Sequence, residues 1–295
     1  MKKLSELLKN TPVGALHGDG SAPVAGLAYD SRTVKPGDCF FAVPGTQSDG
    51  HDYIPMAVEK GAAAVVCERM PETAAEGVAY VVVEDSAGAM ADMAAAFYGY
   101  PSRELKLVGI TGTNGKTTTV TLLYDLVRAM GYKAGLISTV VYKIDGREVE
   151  STHTTPDPIR LNAMMREMAD AGCSHVVMEV SSHALALDRV HGLAYTIAAF
   201  TNLSRDHLDF HGAMEDYAAA KAALFRQCRA AAVNRDDPWT ERILRDCACP
   251  VYDYGLHGGR LLAEDMDLSP TGVRFTAREG EVSCPVSVSI PGLFT

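Results

Sequence analysis

An apolar run that halts at a glycine-rich turn and passes straight into a helix constrains this chain more than any other stretch. In Leu105-Lys-Leu-Val-Gly-Ile-Thr-Gly-Thr-Asn-Gly-Lys-Thr-Thr-Thr119 the strand-like segment Leu107–Ile110 meets Gly112 and Gly115, and Lys116 opens a helical pattern that runs to Met130. Backbone N–H groups of such a loop, and of the helix N-terminus behind it, point at anionic oxygens. Lys116 adds a point charge for the β- and γ-phosphates of a nucleotide, and the Thr117 hydroxyl is a ligand for Mg²⁺. ATP chemistry is the expectation. The spacing departs from the generic phosphate-loop pattern: Ile110 stands five residues before Gly115, where a glycine is usual, and the glycines fall at Gly109 and Gly112.

At 295 residues, 47% apolar and 22% charged, the chain has enough apolar material for two soluble, globular domains. Its formal charge of -10 argues against broad binding to nucleic acid or an anionic membrane, so a phosphate ligand must be held by local donors. The seven cysteines (39, 67, 173, 228, 247, 249 and 284) are scattered and mostly inside apolar segments, which suits reduced thiols and a cytoplasmic protein. Cys247 and Cys249 are too close in sequence for a zinc knuckle and lack a second pair. Met1–Asn10 carries charges throughout and reads as a short amphipathic helix rather than a signal peptide, and no apolar run approaches membrane-spanning length.

Asp38–Val43, Ala64–Cys67 and Ala79–Val83 read as strands, with helices over Tyr53–Lys60 and Gly88–Tyr98. Tyr98-Gly-Tyr-Pro-Ser-Arg-Glu104 then punctuates the chain, which places a small α/β domain at 1–102 and a second domain at 103–295. In the second domain Leu107–Ile110, Ala134–Thr139, His175–Val180, Tyr195–Asn202 and Ala231–Asn234 read as strands. Helices fall over Lys116–Met130, Pro158–Ala171 and Met214–Arg229. That alternation predicts a mostly parallel sheet with helices on both faces and ligands at the carboxyl ends of its strands. From Leu261 onward the pattern is hairpin-like, and the stop at Ile290-Pro-Gly-Leu-Phe-Thr295, with no closing helix, reads as an incomplete carboxyl-terminal end.

Glu179 ends an apolar strand and is followed by Ser181, Ser182 and His183; an acid there is costly to bury unpaired, which favours a site role. Thr201-Asn-Leu-Ser-Arg-Asp-His-Leu-Asp-Phe-His-Gly212 gathers two histidines, two acids and an arginine. A contribution of His207 to a magnesium site is favoured over structural zinc on His207 and His211. Lys221 lies in the alanine-rich helix Tyr217–Phe225, and composition alone reads it as a lysine whose stem escapes to solvent.

Thr111–Thr118, Thr154-Thr-Pro156, Glu179-Val-Ser-Ser-His183 with Arg189, Thr201–Gly212, Lys221 and Asn234-Arg-Asp-Asp-Pro238 together resemble the Mur ligases. Asp30-Ser-Arg32 and Gly45-Thr-Gln-Ser-Asp-Gly50 narrow the resemblance to the MurE branch, which adds the third amino acid of the peptidoglycan stem peptide. The resemblance implies that 1–102 binds the UDP part of the substrate through Ser31, Thr46, Gln47 and Ser48, and that 103–295 is a P-loop ATP-binding domain. Thr154, Thr155, Ser181 and Arg189 then hold the muramoyl dipeptide. Gly112, Thr113, Asn114, Gly115, Lys116, Thr117 and Thr118 take the nucleotide, with Asn234 and Asp237 on its far side. Thr117 and Glu179 are implied ligands of one Mg²⁺ and His207 of a second. The resemblance further implies that Lys221 corresponds to the family's carbamylated lysine (N6-carboxylysine), a metal-binding anion, which reverses the composition-only reading. Leu187 and His153 depart from the family pattern, where Gln and Asn are common.

The implied reaction is ATP-dependent amide-bond formation between UDP-N-acetylmuramoyl-L-alanyl-D-glutamate and a diamino acid, meso-diaminopimelate or L-lysine, through an acyl phosphate. Lys116, Lys221 and His207 carry the catalytic roles, and related ligases point to a monomer. Two alternatives stand beside it: a non-catalytic module that binds nucleotide and UDP-sugar, and a ligase of the same fold for another acid.

Overall fold

The computed structural model describes residues 1–45 and 48–290, which divide into two units. The first comprises Met1–Pro101, Pro156–Arg166 and Leu187–Leu193. In it β1 (Lys2–Lys3) pairs antiparallel with β3 (Pro23–Val24). A separate sheet holds β2 (Ala15–His17), β4 (Gly26–Ala28), β5 (Asp38–Phe41), β6 (Ala64–Cys67) and β7 (Ala79–Val82) in the order β2-β7-β6-β5-β4. Only β2 runs antiparallel to its neighbour. β5 and β6 are buried along their whole length, which is why they read as apolar runs and not as alternation. Helices α1 (Leu4–Leu7) and α3 (Ser86–Phe97) supply Leu4, Leu7, Met90 and Met93 to one core, and α2 (Ile54–Glu59) supplies Ile54 and Ala57 to another. Asp85 starts α3 by accepting the N–H groups of Ala87 and Gly88, both at 3.0 Å. Ile159 packs on the core of Leu4 and Met93, which explains why a segment so far along the chain belongs to this unit.

The second unit (Ser102–Thr155, Glu167–Ala186, Ala194–Thr295) is built on one extended sheet. In chain order from Ser102 come β8 (Lys106–Thr111), α4 (Lys116–Ala129), β9 (Ala134–Ile137), β10 (Val141–Ile144), β11 (Arg147–Glu150), α5 (Pro158–Asp170), whose residues up to Arg166 belong to the first unit, β12 (His175–Glu179), α6 (Ser182–Ala186) and β13 (Tyr195–Phe200). There follow α7 (Leu208–His211), α8 (Met214–Ala222), β14 (Cys228–Asn234), α9 (Thr240–Ile243), β15 (Val251–Gly255), β16 (Leu261–Ser269), β17 (Gly272–Glu279) and β18 (Val282–Val288). Across the sheet the order is β11-β10-β9-β12-β8-β13-β14-β15-β16-β17-β18, parallel from β9 to β16 and antiparallel at both margins. Val120 and Tyr124 of α4 pack on Ile110, Leu136 and Val177, so the helix is pinned against the strands beside the one that feeds it. Burying each side chain of that size contributes about 1.5–3 kcal/mol.

From β8 the chain moves outward to β9 and returns to β12, whereas from β13 it moves the other way to β14 and β15. The loops leaving β8 and β13 therefore diverge, opening the crevice where ligands of such sheets bind. Two local expectations are corrected. The helix read over Met214–Arg229 ends at Ala222; a tighter turn over Ala223–Arg226 follows, and Cys228 and Arg229 already belong to β14. The hairpin β10–β11, read as neither strand nor helix in the sequence, extends the sheet beyond β9.

Candidate functional site

Gly112 and Gly115 are where the loop after β8 needs glycine. Gly112 has φ +152°, and a Cβ there would lie 1.9 Å from Thr201 Oγ1 and 3.2 Å from Asn202 N. Gly115, at φ +83°, is the left-handed residue that starts α4. The loop is tied to the strand end beside it: Thr113 N donates to Asn202 O at 2.8 Å, Asn114 N to Asn202 Oδ1 at 3.0 Å, and Thr201 Oγ1 to Asn114 O at 2.7 Å. Thr201, Asn202 and Ser204 thus form the second wall of the loop. The sequence flagged their segment for its acids and histidines, not for these residues.

Lys116 curls back over the loop, its Nζ 3.0 Å from Gly112 O and 2.9 Å from Thr113 O. Lys221 reaches the same oxygen from α8, with Nζ 2.9 Å from Gly112 O. Two amines converge on one carbonyl. Lys221 is only 1% exposed, so it does not escape to solvent as composition alone predicts. Burial, and then the neighbouring Lys116, push its pKa well below that of an ordinary lysine. Burial also lowers that of Lys116, against the pull of Glu179 and Asp206. The Tyr217 ring lies under Lys221 Nζ at 4.4 Å, and its hydroxyl is 3.2 Å from Thr113 Oγ1, so one side chain supports both amine and loop.

Glu179 is 1% exposed at the end of β12 and level with Ile110 of β8. Its Oε1 accepts Thr117 Oγ1 at 2.9 Å and Thr139 N at 2.8 Å, and its Oε2 accepts Thr139 Oγ1 at 3.1 Å. Thr139 Oγ1 is in turn 3.1 Å from Thr154 Oγ1. Thr155 Oγ1 donates to Glu179 O at 2.9 Å and accepts Ser181 N at 3.1 Å, while Ser181 Oγ accepts Ala184 N at 3.1 Å and so starts α6. The structure therefore brings Thr117, Thr154, Thr155, Glu179 and Ser181 together. It adds Thr139, a link the sequence signalled only by its place after the apolar run of β9.

His207 is the left-handed residue (φ +52°) before α7, with ring centroids 4.9 Å from His183 and 6.1 Å from Tyr217. His211 borders the same two rings, its centroid 5.7 Å from His183 and 5.0 Å from Tyr217, and its Nε2 lies 2.9 Å from Ser182 Oγ. Among the described residues no group of three or more His, Cys, Asp or Glu side chains is placed to hold a metal ion. The hard oxygens of Glu179 and Thr117 beside the phosphate-type loop are the donor chemistry that suits Mg²⁺, which takes few protein ligands and completes its shell from phosphate and water.

On the other side of the loop Asn234 Nδ2 donates to Thr201 O at 2.9 Å, and Asp237 accepts Leu203 N at 2.8 Å and Trp239 N at 2.8 Å. Asp236 holds the turn after β15 through Leu256 N at 2.5 Å. Thr118, Asn202, Asn234, Asp237 and Tyr254 line a cavity of about 610 Å³, floored by apolar residues of β16 and β17 such as Leu262 and Phe275.

In the first unit, Ser31 is buried with its hydroxyl 3.3 Å from Met56 Sδ, and Ser48 closes a turn through its carbonyl to Gly45 N at 3.0 Å. Thr46 and Gln47 lie outside the described residues. Arg189 belongs to this unit, where it opposes the rise in the Tyr29 pKa caused by burial and by Asp157.

Residues 110–295 match the Mur ligase middle domain and residues 23–98 the Mur ligase family catalytic domain. The UDP-N-acetylmuramoyl-L-alanyl-D-glutamate--2,6-diaminopimelate ligase of Phocaeicola vulgatus is 51% identical over 76% of this chain and 46% of its own length. That of Geobacillus thermodenitrificans is 42% identical over 99% of this chain and 61% of its own. A solved structure of an enzyme with the same name aligns with a TM-score of 0.83 and 26% identity, covering 98% of this chain and 60% of that one. The chain thus spans about half to three fifths of the length of these relatives. MurF from Acinetobacter baumannii, 20% identical with a TM-score of 0.68, shares the fold. With the middle-domain match running over most of the sequence and starting on the strand that carries the phosphate-type loop, the chain belongs to the Mur ligase family.

Proposed function

We propose that this chain provides the ATP-binding and UDP-substrate-binding parts of an ATP-dependent ligase of the MurE type in peptidoglycan synthesis. That ligase joins UDP-N-acetylmuramoyl-L-alanyl-D-glutamate to a diamino acid, and the names of the relatives favour 2,6-diaminopimelate over lysine. The observation that carries the reading is the pair of amines on Gly112 O in the loop after β8, with Glu179 and Thr117 on its other flank. Two amines so close, with carbonyls rather than carboxylates as partners, leave positive potential for a polyphosphate to take up.

In this reading Lys116 swings from its loop carbonyls to the triphosphate, offsetting the repulsion between the γ-phosphate and the dipeptide carboxylate that attacks it. Thr154, Thr155 and Ser181 orient that carboxylate, Arg189 of the first unit contacts another part of the muramoyl dipeptide, and the acyl phosphate is opened by the amine of the diamino acid. Burial lowers the pKa of Lys221, so it gives up its proton more readily than an exposed lysine, which favours addition of carbon dioxide to form the carbamate the family resemblance implies. Thr117 and Glu179 would hold one Mg²⁺, and His207 with the Lys221 carbamate a second; such ions would neutralise charge between the phosphates and the attacking carboxylate. Asn234, Asp237 and the adjoining cavity take the nucleoside end. The protein belongs in the cytoplasm, where ATP and UDP-linked precursors are found; among the described residues no helix is long and apolar enough to cross a membrane.

Calorimetric titration with a non-hydrolysable ATP analogue and MgCl₂ tests the reading. Binding is expected to weaken about 10- to 150-fold in Lys116→Ala, the worth of about 1.5–3 kcal/mol of charged hydrogen bonds. Undiminished binding in the variant overturns it.

A further inference from the structure

Three of the seven cysteines meet at the amino-terminal ends of two neighbouring strands, the opposite end of β14 from Asn234. Cys249 Sγ lies 3.5 Å from Cys228 Sγ and 3.4 Å from Cys247 Sγ. Cys228 opens β14, and Cys249 stands two positions before the start of β15; the parallel register pairs Ala231 with Val251, which puts position 249 beside the start of β14. All three are partly exposed, whereas Cys39, Cys67 and Cys173 are buried in the cores and Cys284 is exposed on β18.

We propose that Cys228 and Cys249 form an oxidisable pair, closing an intrachain disulfide between β14 and β15 when the chain meets a low-molecular-weight disulfide such as oxidised glutathione. The Cys249 thiolate attacks one glutathione sulfur, forming a mixed disulfide and expelling one glutathione thiolate. The Cys228 thiolate then attacks Cys249 Sγ and expels the second. Two protein thiols are oxidised, one glutathione disulfide is reduced to two glutathione molecules, and the two thiol protons pass to the leaving groups. Cys247 is the less suited partner, because a bridge between residues separated by a single position closes a small, strained ring. Burial raises the pKa of all three thiols, so exchange accelerates as pH rises above neutral. The closed loop contains Asn234, Asp236 and Asp237, so the bridge ties together the two strands that hold that turn.

The test incubates the 295-residue chain with oxidised glutathione at pH 8, alkylates the remaining thiols and maps the peptides by mass spectrometry. The expected result is a monomer with two fewer alkylated cysteines, a Cys228–Cys249 cross-linked peptide, and reversal by dithiothreitol. Cys247→Ser retains the cross-link; Cys228→Ser and Cys249→Ser lose it. Alkylation of all cysteines, a stable glutathione adduct, a Cys247–Cys249 bridge or a cross-linked dimer each overturns the proposal. The peptide map of the unmodified chain decides the matter even where a serine variant folds poorly.

Discussion

Both units place polar loops at the carboxyl ends of parallel strands, yet they treat charge in opposite ways. In the first, two carboxylates of the strand-end loops, Asp30 and Asp49, each meet an arginine. Arg32 Nε and Nη2 meet the two oxygens of Asp30 at 2.9 and 2.7 Å, and Arg69 Nη2 meets Asp49 at 2.6 Å. His51 links Asp49 to its own Nδ1 at 2.6 Å and accepts Glu68 N on Nε2 at 2.9 Å, and Glu68 accepts the Ser86 hydroxyl at 2.8 Å. In the second unit Lys116 of the loop and Lys221 of α8 share a carbonyl, and the buried Glu179 takes neutral hydroxyl and N–H donors. The segregated charge of the second unit leaves its loop poised for a ligand that completes it.

The largest effect that tests this contrast is expected at Gly112. Gly112→Val puts a Cβ into Thr201 Oγ1 and asks a β-branched residue to adopt a left-handed φ, so stability should fall by about 1–3 kcal/mol or more. Binding of the ATP analogue should vanish with it; calorimetry and thermal melting read both. Next is Glu179→Ala, which removes the partner of Thr117 Oγ1 and of Thr139 N and one of the two partners of Thr139 Oγ1, and should cost about 1–3 kcal/mol by urea denaturation. An unchanged denaturation midpoint would mean that the carboxylate organises nothing.

Two smaller effects concern sign. Burial holds the folded-state pKa of Lys221 below its unfolded value, so the ammonium opposes folding at neutral pH, and this penalty fades as pH rises through the alkaline range toward 10.5. In carbon dioxide-free buffer the parent should therefore gain stability relative to Lys221→Met as pH rises; parallel melting curves would contradict it. In the first unit, Arg69 and then His51 hold the Asp49 carboxyl below its usual range. That ion pair stabilises above the unfolded value of 3.8, and the contribution is lost as pH falls below it. Asp49→Asn should thus melt slightly lower than the parent at pH 7 and approach it in acid. A constant difference between pH 7 and pH 3 would remove the contrast between the two units.

Much of this is legible in the residues alone. The strand, turn and helix around Gly112–Thr118 announce themselves because φ requirements, apolar runs and helix starts are local. Glu179 stands out because a carboxylate ending an apolar strand is conspicuous. Tyr217, Thr139, Thr201 and Asn202 do not, since an aromatic in an alanine-rich helix, or a threonine after a strand, acquires meaning only from what lies across the sheet. The end of α8 is misplaced by pattern because alanines continue a helix as readily as they enter a strand buried beside β13.

By itself the sequence determined the alternating α/β pattern, the glycine loop and which residue types stand at strand ends, all of which depend on neighbours along the chain. Only the tertiary structure decided that Lys221 is buried and meets Lys116 on the oxygen of Gly112, and that Pro156–Arg166 rejoins the first unit. The physical reason is the same for both: burial and electrostatic partnership are properties of surfaces brought together by sheet order, and strand order is not written in any one segment.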